Sequence, residues 1–336
     1  YCDNPEELKE KENAEALGGH MDGCRIGFDL GGSDRKCSAV IDGEVVHTEE
    51  VVWDPYFEKD PEFHFQGIND SLKRAAAKMP RVDCIGGSAA GVYVNNEVRV
   101  ASLFRGVSPE DFKNHVERMF FRLQEEWGNI PFTVVNDGEV TALAGAMALE
   151  DGALLGIAMG TSLAAGYVTP DGNITDWLDE LAFVPVDYRT ENPPQDEWSG
   201  DYGIGVNYFS QQAIARLAPI AGIEFPEDMP FAERLVGVQK LMDEGDERAL
   251  KIYETIGTYF GYNLAQYNEC YELRNVLVLG RVMSGPGGDI ILEQARKVLA
   301  AEFPELVNKV KFAAPDEKMK RHGQAVVAAS LPEIGK

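Results

Sequence analysis

Phe28-Asp29-Leu30-Gly31-Gly32-Ser33 decides the fold once it is set beside Ala158-Met159-Gly160-Thr161-Ser162, about 130 residues further along. Each stretch follows a short apolar run and is followed by another. The pattern predicts a strand, a tight glycine turn with a hydroxyl residue, and a returning strand. Such a turn leaves several backbone N–H groups free. Glycine lets the backbone come close to an anion, and the free amides point at it. Two turns of this kind predict two half-domains that grip one polyphosphate from opposite sides.

Outward from the first turn, residues 25–29 form a strand. Residues 36–41 and 45–53 flank Asp42-Gly43, a two-residue hairpin signal. Helical spacing over 67–78 stops before Pro80, and 82–87 is a short strand. Ser108-Pro109-Glu110-Asp111 opens a helix to about 127, with Ser as N-cap, Pro in the first turn and acids at the positive end of the dipole. Residues 132–136 form a buried strand and 139–149 an Ala/Leu-rich helix. The order then recurs: strands 153–159 and 163–168, the turn Pro170-Asp171-Gly172-Asn173, a loop at 185–203, and helices at 208–217 and 246–271. A strand at 275–279, a glycine-rich turn at 280–288 and helices at 289–301 and 323–331 complete it. Two meander–helix–strand halves predict an α/β protein with a cleft between them.

The 336 residues suffice for two domains with full cores. Formal net charge is −25, from 56 acidic and 31 basic residues. That argues against a nucleic-acid or anionic-membrane surface, where phosphates call for Lys and Arg. A nucleotide can still bind through local amides and a metal ion. Five scattered cysteines without CxxC spacing fit free thiols in a reducing, cytoplasmic setting. No run approaches ~18 apolar residues, so no membrane span is expected. Residues 1–24 are charged, show no signal peptide or initiator Met, and are expected to be an N-terminal arm.

Asp29 ends the first strand. A carboxylate beside bound phosphates makes sense with a cation between them, and Mg²⁺ held through water fits. Ser33 and Lys36 could add donors. The alternative is a plain turn whose Asp caps local amides. Asn136-Asp137 ends the 132–136 strand and starts a helix. A carboxylate at the mouth of a cleft is placed to take a proton from a substrate hydroxyl, as phosphoryl transfer requires. The alternative is that Asp137 only caps the helix. Gly280, Ser284, Gly285, Gly287 and Gly288 could pass under an adenosine or form an ordinary βα loop; neither GxGxxG nor the P-loop spacing occurs.

The ordered set Asp29-Leu30-Gly31-Gly32-Ser33, Asn136-Asp137, Gly160-Thr161-Ser162 and Leu279-Gly280 resembles the superfamily of sugar kinases, actin and chaperone ATPases. Within it the chain resembles the ROK family (repressors, open reading frames and sugar kinases). Gly91-Val92-Tyr93-Val94 is similar to that family's sugar-lobe turn. Gly245-Asp246-Glu247-Arg248-Ala249 is similar to the start of its long helix, and the match spans about 25–332.

The resemblance implies two ribonuclease-H-like (actin-like ATPase) lobes: a small lobe of 25–134 plus 319–336, and a large lobe of 135–318. It implies a glucokinase-like enzyme of carbohydrate metabolism, an ATP- and Mg²⁺-dependent sugar kinase, and a homodimer. Asp137 would be the general base. Asn136, Glu180, Ser88 and Ser102 would bind sugar. Asp29, Gly31, Gly32, Ser33, Lys36, Gly160, Thr161, Ser162, Gly280, Ser284 and Gly285 would bind nucleotide, with Asp29 reaching Mg²⁺ through water.

The departures from the family matter as much. Where ROK proteins hold zinc with one His and three Cys, this chain has Phe183, Glu197, Ser199 and Ile204. All four ligands are replaced together, which predicts no zinc. Phe183, Trp198 and Ile204 are expected to brace the loop instead. A sugar-contacting His is lost with them. Ser162, Ala164 and Ala165 fill positions that are often Gly, and Arg281 follows Gly280. These changes motivate the rival expectation, a non-catalytic sugar or nucleotide sensor.

Overall fold

The protein is described, as a computed structural model, over residues 14–15, 18–175, 177–313 and 317–335. Its strands are β1 (Ala14–Glu15), β2 (Cys24–Leu30), β3 (Asp34–Ile41), β4 (Glu44–Val52), β5 (Cys84–Ala89), β6 (Val92–Val94) and β7 (Glu97–Val100). They continue as β8 (Phe132–Asn136), β9 (Leu154–Met159), β10 (Leu163–Val168), β11 (Ile174–Thr175), β12 (Asn275–Leu279) and β13 (Lys311–Ala313). They form two main sheets, β4-β3-β2-β5-β8 and β1-β11-β10-β9-β12-β13, with β6-β7 as a separate hairpin.

β2 is buried along its whole length, as a central strand covered on both faces must be. It pairs antiparallel with β3 and parallel with β5, which pairs parallel with β8. In the second sheet β9 pairs antiparallel with β10 and parallel with β12. Both meanders read from the sequence are therefore present, one in each sheet. Asp42 and Gly43 make the β3–β4 turn, both at positive φ.

Several helices depart from their expected bounds. The first runs Pro61–Ala76, because Asp60 caps it by accepting from the Glu62 amide and Pro61 fixes the first turn. Ser108 does cap its helix, accepting from the Asp111 amide. The segment then tightens and loosens through a π turn, Phe112–Val116, before the helix Met119–Glu126. The helix Phe231–Asp243 and the β6-β7 hairpin were not read from the sequence. The helix follows Pro230 and has no side-chain cap.

Two helices join the sheets. Asp137–Leu149 packs on β9 and β10, and the C-terminal helix Glu317–Ala329 packs on β2, β3 and β5 and against Asp137–Leu149. Val140, Leu143, Val327, Ala328 and Leu331 form one buried cluster where these two helices meet. The C-terminal helix lies backbone-close on the sheet. A Cβ on Gly27 would stand 1.7 Å from the Ala325 carbonyl oxygen, and one on Gly86 1.7 Å from that of Ala328. Among the described residues no helix is long and apolar enough to cross a membrane.

Candidate active site

β2, β5 and β8 run parallel, so their C-terminal ends open on one edge, where open α/β sheets bind ligands. Register aligns Asp29 with Ser88 and Ala89 with Asn136. Asp29 is buried, and the Ser88 hydroxyl donates to its Oδ1 at 2.8 Å. Burial lifts Asp29 to about 6 against that hydrogen bond, and the charge of Asp137 adds to the rise. Asp137 is also lifted to about 6, by burial and then by Glu180, while the Gly138 amide pulls it back. Both acids therefore titrate above the ordinary carboxylate range, chiefly because of burial.

Gln324 on the C-terminal helix was not singled out in the sequence. Turned so that its nitrogen faces the carboxylate, its amide donates to both Asp29 oxygens at 3.1 Å and accepts from Thr141 Oγ1 at 2.8 Å. Thr141 lies one helical turn after Asp137. The C-terminal helix thereby links both acids.

The nucleotide candidates divide between the two sheets. In the first turn the Gly31 amide donates to the Asp34 carbonyl at 2.9 Å; in the second the Gly160 amide donates to the Ser162 carbonyl at 2.9 Å. Among the described residues nothing accepts from the Gly32 or Thr161 amides. Gly280, at φ 103°, would bring a Cβ within 2.3 Å of the Met159 carbonyl oxygen, so the β12 turn presses against the β9 turn. Gly285 precedes the helix Pro286–Glu302, and Gln239 holds the loop through the Arg281 and Ser284 carbonyls.

Ser33 and Lys36 are not idle: both donate to the Asp34 carboxylate, at 2.9 and 3.0 Å. Burial opposes the ionised Asp34, yet these hydrogen bonds and the charges of Lys36 and Arg281 hold its pKa below the usual range.

A cavity of about 580 Å³ is walled by Tyr93, Asn136, Glu139, Trp177, Asp179 and Glu180 among others; Asp137 lies between two of these in the chain but is not itself on the wall. Asn136 donates to the Gly91 carbonyl at 2.7 Å and caps the Gly138 amide, so half of its hydrogen-bonding capacity is left for a ligand. Ser88 and Ser102 do not line this cavity. Ser88 is fully buried and serves Asp29, and Ser102 lies on a short 3₁₀ turn, Ser102–Phe104. Strand register turns Ser88 toward Asp29, so its hydroxyl is already engaged.

Glu139 and Asp179 were missed as wall residues. Asp179 accepts from Tyr271 Oη at 2.8 Å and from the Tyr167 amide at 3.1 Å, yet burial still lifts it to about 6. Burial, followed by Asp179, raises Glu180 as well. Glu139 rises to about 8 through burial and the Asp179 charge, against the Asn136 amide. A carboxyl raised on folding costs stability as pH climbs; the cost starts near the ordinary 4.5 and is complete above about 8. Glu139→Gln is therefore expected to raise the melting temperature more at a pH of about 8.5 than at about 5, which paired melting curves would check.

No protein-family model matches the sequence, and no curated protein does. Solved structures do match. The ROK hexokinase from Thermus thermophilus superposes with a TM-score of 0.69 at 17% identity, covering 91% of this chain and 96% of that one. The chain has the ROK fold. A ROK family glucokinase from Streptomyces griseus, in complex with glucose and AMPPNP, gives 0.62 at 20% identity, over 91% and 98%. A ROK family transcriptional regulator, a homolog of the E. coli MLC protein, gives 0.67 at 17%, over 93% and 79%. Kinases and a regulator thus share the ROK fold, and function must be argued from the site.

The 196–204 loop is held by hydrogen bonds and apolar packing. Asp196 accepts from the Trp198 and Ser199 amides at 3.1 and 2.8 Å and from Gln212 Nε2 at 3.1 Å. Phe183 and Trp198 meet with ring centroids 5.6 Å apart, and Ile204 is buried in the large core. Among the described residues no group of three or more His, Cys, Asp or Glu is arranged to hold a metal ion.

Proposed function

We propose that this chain is an ATP-dependent sugar kinase of the ROK family. The observation that carries the proposal is the place of Asp137. Its carboxylate accepts from the Gly138 amide at 3.1 Å at the C-terminal end of β8, between Asn136 and Glu139, which both wall the cavity. With its pKa near 6, Asp137 is ionised at neutral pH and basic enough to take a hydroxyl proton. Asn136, Glu139 and Glu180 would orient the sugar, and the Gly32 and Thr161 amides would meet phosphate oxygens.

Asp29 suits a magnesium ion held through water. It is a buried acid without a cationic partner in hydrogen-bond reach, and Mg²⁺ takes few protein ligands. Magnesium would offset the phosphate charge. Zinc has no ligand set in this reading.

The test is a coupled ADP-release assay over a sugar panel. Turnover is expected with at least one sugar, and kcat/KM should fall as pH drops through about 6, where Asp137 takes up its proton. A panel on which no sugar stimulates ADP release defeats the kinase reading.

One observation favours a non-catalytic sensor. Asp34 occupies Ser33 and Lys36, two donors that a phosphate would need. Calorimetry that detects sugar binding with no ATP binding would favour the sensor.

A further inference from the structure

A second cavity, of about 490 Å³, opens in the large lobe between the 187–197 loop and the helices Gln211–Ile220 and Phe231–Asp243. It shares no wall residue with the cavity walled by Asn136 and Glu139. Arg189, Arg216 and Arg234 all line it. In a chain of net charge −25, three guanidiniums around one hollow are an uncommon concentration of positive charge.

Their partners explain what holds them and what is left over. Arg234 is fixed by backbone carbonyls of Met229 at 2.9 Å and Glu227 at 2.7 Å, and among the described residues no carboxylate pairs with it. Arg216 lies over the Tyr208 ring at 4.5 Å, and its Nε reaches the Asn207 carbonyl at 3.4 Å. Its Nη2 is buried and has no acceptor. Arg189 alone is ion-paired, to Asp187 at 2.9 Å. Burial lowers the Arg216 pKa, and the charge of Arg189 adds to the fall. Glu197 is the one acid on the wall.

Asn207 supplies the second orphan. It is 3% exposed, its Nδ2 donates to Gln212 Oε1 at 2.8 Å, and its Oδ1 has no donor. Buried polar atoms are rarely left unpaired, so an orphan donor and an orphan acceptor on one wall call for a ligand. The Arg216 nitrogen asks for an anionic oxygen and the Asn207 oxygen for a hydroxyl. Guanidinium forks suit phosphate and carboxylate oxygens. We propose that this cavity binds a small hydroxylated anion of the sugar-phosphate class, at a site separate from the Asp137 cleft. Binding here needs no phosphoryl transfer.

Calorimetry with a hexose 6-phosphate, inorganic phosphate and the free hexose as probes tests it. The hexose 6-phosphate should bind more tightly than either of the others. Arg216→Lys and Arg189→Gln should each raise its Kd about tenfold, the loss of one charge-assisted hydrogen bond. Asn136→Ala, in the cleft, should leave Kd unchanged. Arg189 is exposed, so Arg189→Gln keeps the test alive if Arg216→Lys melts early in ligand-free scans. Absence of binding overturns the proposal. So does binding that survives both arginine variants but is lost in Asn136→Ala, which would put the anion in the cleft.

Discussion

Asp137→Asn should lower kcat by about a thousandfold in the ADP-release assay while leaving the protein at least as stable. The substitution keeps size and shape and removes the group that takes the hydroxyl proton. Its effect on folding has the opposite sign. In the folded protein the Asp137 carboxyl is lifted from 3.8 to about 6 by burial and Glu180. The folded state therefore holds that proton more firmly than the unfolded chain does. Stability falls as pH rises from about 4 to about 6, and the full cost persists at neutral pH. Asparagine carries no charge and escapes that cost. Lost turnover with an equal or higher melting temperature assigns Asp137 to chemistry. A variant that retains kcat within about threefold of the parent removes it from the reaction, since general bases typically contribute at least a hundredfold.

Gly86→Ala should destabilise the protein by about 3 kcal/mol or more, because the obstacle is backbone on both sides. The new Cβ would lie 1.7 Å from the Ala328 carbonyl oxygen and 2.7 Å from its carbon. A side chain could swing aside, but a helix carbonyl cannot. The C-terminal helix must lift, and its buried Val326, Val327, Ala328, Ala329 and Leu331 lose their contacts. Gly27→Ala meets the same helix one turn earlier and should behave alike. A fall in melting temperature of about 5 to 10 °C would register this. Unchanged melts for both variants would mean that the helix does not pack as described.

The parts of the fold legible in the sequence were those fixed by neighbours in the chain. Asp42-Gly43 makes its hairpin and Ser108 caps its turn, whereas the helix that starts at Asp137 is capped by Asn136 and not by Asp137, the cap weighed from the sequence. Each needs a handful of consecutive residues. The strand–helix junction at Asp137 and both glycine turns were legible for the same reason. What stayed hidden depends on distant packing. Gln324 reaches Thr141 across 183 positions, and no local pattern announces that. Glu139 sits in an Ala/Leu-rich helix, where a lone acid looks like a cap or a solvated face; only the second sheet turns it into a cavity wall. That Ser88 would face Asp29 follows from strand register, which the sequence does not announce. The helix Phe231–Asp243 lacks a capping side chain, and the three arginines near it come from separate segments.

The C-terminal helix also sets an order of events during synthesis. The strands of the first sheet leave the ribosome early, with β8 finished at Asn136. The face of that sheet carrying Gly27 and Gly86 stays bare while the next sheet and its helices are made, until residues near 325 to 329 emerge. The first sheet must therefore wait, half-covered, while about 190 further residues are made, from Asn136 to Ala325. It is in this interval that the chain would be most open to chaperones and to misassociation. The seal and the amide that bridges Asp29 and Thr141 arrive together, so completion of the core and completion of the site are one step.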